Sequence, residues 1–252
     1  MKTAIITPTP LLTKYGDGGD GYHLILSHLV HESPEYTKYY SDRAREGHWV
    51  ILDNSAHEFG AGETAERLLK AIEIINPSEI VLPDRLFFGG DTVDDSREAA
   101  SRILHDFPDL KLMGCPQGRT LSEWLECLFG LLKIGIYSIG ISKDYETWRG
   151  GIPQLVSLVS NIVPNHPIHL LGWGRQWEDL KRLAKMSIRG IDSAKPLVYA
   201  VAGISLADVQ STPTYPRRPR NFFDLTEIDH DIALKNIALF RKWAGADPIP
   251  VV

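Results

Sequence analysis

The sequence predicts a single α/β domain, a TIM-type (β/α)8 barrel, and three observations carry that reading. The chain has 252 residues, close to the roughly 250 typical of such barrels. Eight short apolar runs follow one another, mostly separated by segments with helical spacing, as successive β/α units require. Three of the runs stop on aspartate: Trp49-Val50-Ile51-Leu52-Asp53, Ile80-Val81-Leu82-Pro83-Asp84 and Gly190-Ile191-Asp192. Side chains at the carboxyl ends of barrel strands converge on one mouth, where barrel enzymes keep their chemistry. A doubly wound open sheet is the alternative, because no helix is legible in the first crossover, between Thr7 and His23.

The first strand is expected over Ala4–Thr7. The loop Tyr15-Gly16-Asp17-Gly18-Gly19-Asp20-Gly21 reads as flexible surface, since it lacks the spacing of a calcium loop. His23–Val30 reads as the second strand. Ser33-Pro34 then marks a helix start, a capping hydroxyl before a proline whose missing N–H costs nothing there, and the helix should stop at Gly47. Strands are expected at Trp49–Asp53, Glu79–Asp84, Lys111–Cys115, Ile136–Ser142, Ile168–Leu171 and Ile188–Asp192. Helices are expected at Glu63–Ile75, Asp94–Phe107, Leu121–Lys133, Pro153–Ile162 and Trp177–Lys185. Residues 1–196 then form the barrel core, and 197–252 a C-terminal loop and helix packed on it. In that second part the prolines of 211–223 exclude regular structure, and Asp229–Trp243 closes the chain as a helix.

Composition narrows the function classes. Hydrophobic residues make up 43% and charged ones 23%, as in an ordinary globular protein. The net charge of -5 argues against a generally basic nucleic-acid coat, although a local basic strip acts alone beyond a Debye length of about 8–10 Å. The two cysteines, Cys115 and Cys127, are too few for a disulfide framework or a four-cysteine zinc site. No apolar stretch approaches the roughly 20 residues that cross a bilayer, and a cytoplasmic setting is expected, the host's if the gene belongs to a phage.

The strand-end carboxylates suit glycosidic chemistry. One ionised carboxylate can stabilise or trap a cationic sugar, and a second can manage the proton of the departing base. Each aspartate taken singly could equally be a helix cap in a β/α loop, and His169, inside an apolar run, reads as a hydrogen-bonded core residue.

Taken in order, Ile51-Leu52-Asp53-Asn54-Ser55, Ile80-Val81-Leu82-Pro83-Asp84, Met113-Gly114-Cys115-Pro116-Gln117-Gly118, Ile139-Gly140-Ile141, His169-Leu170-Leu171-Gly172-Trp173-Gly174 and Gly190-Ile191-Asp192 resemble the guanine transglycosylases, over about Met1 to Pro196. The resemblance implies a barrel pentosyltransferase that exchanges guanine in a polynucleotide for a 7-deazaguanine such as preQ0 or preQ1. It implies Asp192 as nucleophile and Asp53 as general acid/base. It puts Asp84, Gln117, Gly118 and Gly140 on the guanine edge, with Leu171 and His57 against the base. The zinc subdomain of the tRNA enzymes cannot be built here, as no cysteine follows Cys127. The zinc-free relatives acting on DNA are therefore the nearer comparison, with no cofactor expected and Lys195, Arg217, Arg218 and Arg220 on the phosphate backbone. Exchange on tRNA, or an inactive barrel that binds nucleic acid or protein, are the alternatives, and a homodimer is possible.

Overall fold

The computed structural model describes residues 1–173, 177–211 and 215–246. Its eight strands form one sheet in the order β1-β8-β7-β6-β5-β4-β3-β2, and every pairing resolved in register is parallel. With helices between successive strands, this is the (β/α)8 barrel of the TIM type. By contacts the chain divides into two compact units, Met1–His23 with Ser142–Val252, and Leu24–Ile141.

The first unit holds β1 (Lys2–Ile5), the short α1 (Leu12–Tyr15) and the start of β2 (Tyr22–Leu26). Along the chain it resumes after β6 (Ser138–Ser142) with α8 (Gly151–Ile162), β7 (Ile168–Leu171), α9 (Trp177–Leu183) and β8 (Gly190–Ser193). It ends with α10 (Lys195–Val201) and α11 (His230–Trp243). All four residues of β8 are buried, as parallel strands covered on both faces must be. The Asp229 side chain caps α11 by accepting from the Ile232 N–H. Asn236 on that helix, fully buried, accepts from the Leu206 N–H and donates to the carbonyls of Pro196 and Ile204.

Two sequence expectations in this unit are corrected. The first crossover does contain helix: a 3-10 turn at Thr9–Leu11 runs into α1. Its prolines hid it, although Pro10 lies in the first turn, where a missing N–H is harmless. The glycine-aspartate loop is also more than flexible surface. Asp20 is drawn inward to Arg241, with Arg241 Nη1 and Nη2 each 2.9 Å from a carboxylate oxygen.

The second unit contains α2 (Ser27–Glu32), α3 (Pro34–Arg45), β3 (Trp49–Asp53), α4 (Ala56–Phe59) and α5 (Ala65–Ile75). It continues through β4 (Glu79–Val81), α6 (Gly89–Asp106), β5 (Lys111–Gly114), α7 (Leu121–Leu132) and most of β6. Ser33, Thr64 and Thr120 cap α3, α5 and α7 with their hydroxyls. The strand expected over His23–Val30 is corrected, for β2 ends at Leu26 and Ser27–Glu32 is helical. A short apolar run has no periodicity that separates buried strand from buried helix.

Candidate functional site

Chemistry-bearing side chains gather at the carboxyl ends of strands, and each unit carries its own set. In the first, Asp192 is the third residue of β8 and its side chain is 8% exposed. Its Oδ1 accepts from the backbone N–H of Gly172, at 2.9 Å, and lies 3.2 Å from His169 Nε2. Among the described residues its Oδ2 receives no hydrogen bond. His169 on β7 is fully buried, and its Nδ1 is 2.7 Å from the hydroxyl of Tyr22.

Lys143 is the first residue beyond β6. Ser142 fixes the turn there as the cap of the 3-10 helix Lys143–Thr147, accepting from the Asp144 N–H. Tyr145, fully buried and edge-on to Trp148 at 4.4 Å, anchors the same turn. The lysine stem thereby lies along Gly172: a Cβ placed on that glycine would stand 3.0 Å from Lys143 Cδ and 3.5 Å from Nζ. Gly172 also has φ +67°, a conformation that glycine adopts without steric cost. Lys143, Gly172, Asp192, His169 and Tyr22 thus form one connected constellation. The sequence reading missed Lys143, although a lysine directly after the expected strand Ile136–Ser142 was visible. It also missed Tyr22, which lies 147 residues from its partner.

In the second unit Asp53 closes β3, half-buried, and its Oδ2 accepts from the Ser55 N–H at 2.8 Å. Ser55 is held at φ 60°, with its hydroxyl 3.0 Å from that of Ser27 and 2.8 Å from His28 Nδ1. Asp84 follows β4 and is buried. Asn54 Nδ2 donates to one of its oxygens at 2.7 Å and Gln117 Nε2 to the other. Gln117 Oε1 accepts from the Phe87 N–H at 3.1 Å. Gly118 permits a close turn, since a Cβ there would meet the backbone nitrogen of Trp124 at 2.4 Å.

The remaining expected residues lie on several elements. Gly140 is buried in mid β6 and Leu171 half-buried at the end of β7, while His57 is exposed on α4. Lys195 opens α10, and its Nζ donates to the Pro216 carbonyl at 3.2 Å. Arg217, Arg218 and Arg220 are exposed, with Arg218 lying 5.2 Å from the ring centroid of Phe223. Gly174 and the Thr212-Pro213-Thr214 stretch fall outside the described residues.

No family model matches the chain, and no curated protein matches it. Solved structures do. A 4-hydroxy-2-oxoglutarate/2-dehydro-3-deoxyphosphogluconate aldolase is 10% identical with a TM-score of 0.56, over 96% of this chain and 93% of that one. An N-acetylneuraminate lyase from Mycoplasma synoviae is 13% identical, TM-score 0.54, over 96% of both chains. Active domain 2 of a chitinase from Pyrococcus furiosus is 13% identical, TM-score 0.55, over 97% of this chain and 96% of that one.

These likenesses establish the barrel, and they overturn the resemblance to guanine transglycosylases, with the DNA base exchange and pentosyltransferase activity it implied. The neighbours are aldolase, lyase and chitinase barrels, and short strand-end motifs report the architecture they share rather than one chemistry. Asp84 and Gln117, expected on a guanine edge, hydrogen-bond to each other here, and Gln117 also accepts from the Phe87 N–H. Among the described residues no helix is long and apolar enough to cross a membrane.

Proposed function

We propose that the protein is an enzyme of the lysine-dependent aldolase or lyase type, acting on a carbonyl compound at the carboxyl ends of β6, β7 and β8. The observation that carries this reading is the placement of Lys143. Its amine lies against Gly172, the same residue whose N–H holds the Asp192 carboxylate. A primary amine beside a fixed carboxylate is the equipment for imine catalysis. The aldolase and lyase titles among the structural neighbours support the reading as fold-level analogy.

Lys143 Nζ adds to the carbonyl carbon of a 2-oxo acid, and the oxygen leaves as water, giving a protonated imine. That group withdraws electrons from the neighbouring carbon–carbon bond. When a hydroxyl on the far carbon gives up its proton, the bond breaks, releasing an aldehyde and leaving an enamine on the lysine. The enamine takes a proton at carbon, and water frees the shortened 2-oxo acid. Asp192 Oδ2 is the base assigned to the hydroxyl proton, because Oδ1 is already held by two donors.

The test is a panel of aldols built on 2-oxo acids, scored by release of the keto acid. Wild type should cleave at least one of them, and Lys143→Ala and Lys143→Arg should each lose activity about 10³-fold or more. Equal cleavage by Lys143→Ala would remove the lysine from the chemistry.

A further inference from the structure

Behind Asp192 stands a chain of buried polar groups that the imine scheme does not use. Tyr22, 3% exposed, faces His169, and His169, 0% exposed, faces Asp192. A neutral imidazole carries one proton, so one ring nitrogen donates and the other accepts. Oδ1 of Asp192 already accepts from Gly172 N–H, so the proton on the imidazole belongs on Nε2, where it can donate to that oxygen. Nδ1 is then a bare lone pair, and the phenolic O–H of Tyr22 is its donor.

The opposite tautomer would set two lone pairs against each other at Nε2 and Oδ1. It would also set the Nδ1 proton toward the hydroxyl of Tyr22. The carboxylate, which can only accept, therefore sets the tautomer, and the phenol, which can donate or accept, completes it by donating to Nδ1.

We infer that Tyr22 and His169 are positioning residues, a tautomer lock that fixes Asp192 with Oδ1 bound and Oδ2 open. The role assigned to Oδ2 rests on the imine reading, whereas the lock itself rests on geometry alone. Gly190 is part of the device. It pairs with His169 in the sheet and precedes Asp192 by two residues, on the same face of β8. A Cβ at Gly190 would stand 2.5 Å from the Tyr22 hydroxyl and 2.6 Å from its ring, so the phenol occupies the room that the glycine leaves. Charged groups that face this chain within the unit include Arg189, 6.0 Å from the Tyr22 ring centroid, and Lys143 across Gly172.

The experiment is nitrogen NMR on protein carrying labelled histidine, with the His169 signals assigned by their loss in His169→Gln. Wild type should show His169 protonated at Nε2 and bare at Nδ1. Tyr22→Phe keeps the ring over Gly190 and removes only the hydroxyl. It should still unfold in one cooperative transition, at a somewhat lower temperature for the lost buried hydrogen bond, and keep its Nε2 proton while the Nδ1 signal moves to that of a ring nitrogen with no donor. Where an aldol substrate turns over, kcat should fall about 10- to 100-fold in Tyr22→Phe with KM nearly unchanged, the scale seen when a group supporting a functional ligand is removed. A wild-type ring protonated at Nδ1, or His169 signals unmoved in Tyr22→Phe, would overturn the lock. Neither outcome depends on Lys143, so a failed imine and a failed lock are told apart.

Discussion

The stem of Lys143 fills the space that a side chain on Gly172 would need. Alanine at Gly172 would bring a methyl to 3.0 Å from Cδ and force a left-handed residue at φ +67°. The backbone cost is about 1–2 kcal/mol, and the lysine must shift as well. Gly172→Ala should therefore unfold at lower urea by about that amount. It should also lose most of its turnover, in excess of what the stability change explains. Full turnover in this variant would mean that the amine is not held by the glycine.

Asp20 and Arg241 make a second prediction, about acid stability. Burial alone raises the Asp20 pKa, but the Arg241 guanidinium and the donors of Thr3 outweigh it and hold the carboxyl below its ordinary value of 3.8. A depressed folded pKa contributes stability that is complete above the unfolded pKa and is lost as pH falls through the folded one. The partners are 3% and 8% exposed, so breaking the pair strands a buried guanidinium. Asp20→Ala should cost roughly 3–5 kcal/mol near neutral pH. Its deficit relative to wild type should shrink as the pH drops below that ordinary value. Urea titrations at stepped pH measure this, and a deficit independent of pH would refute the account.

The knot around Asp84 yields a third. Gln117→Leu removes one donor from a buried carboxylate and the acceptor of the Phe87 N–H. Each stranded group costs about 1–3 kcal/mol. Glu73→Ala, at an exposed position on α5, should stay within about 0.5 kcal/mol of wild type. Similar losses in both variants would show that Gln117 is not the tie described.

Cys127 gives a chemical readout of the same region. Burial, with Asp84 adding to it, pushes the thiol up to about 11 despite the lowering by the Gln117 N–H. At pH 8 the group therefore remains a thiol, and only the thiolate is nucleophilic. Thiol reagents should leave Cys127 unmodified in the folded protein and react with it quickly in denaturant. Rapid native labelling, mapped to Cys127, would contradict this.

The barrel was legible in the sequence because parallel strands buried on both faces leave continuous apolar runs, as at Trp49–Asp53 and Ile168–Leu171. The cap at Ser33 was legible because a hydroxyl before a helix has a local job. The strand-end positions of Asp53, Asp84 and Asp192 were legible for the same topological reason. Their partners were not. Whether Gln117 faces a ligand or Asp84, and whether Tyr22 reaches His169 across 147 residues, depends on tertiary placement that no spacing encodes. The absence of a side chain at Gly190 acquires meaning only when the ring lying over it is seen.

On the proposed function, the Lys143 amine forms an imine with a carbonyl substrate. The direct measurement is borohydride reduction in the presence of pyruvate, followed by peptide mass spectrometry. A reduced adduct on the peptide that carries Lys143, absent from Lys143→Arg and absent without borohydride, is the result predicted. An adduct on a different lysine, or no adduct with any 2-oxo acid of a broad panel, would contradict it.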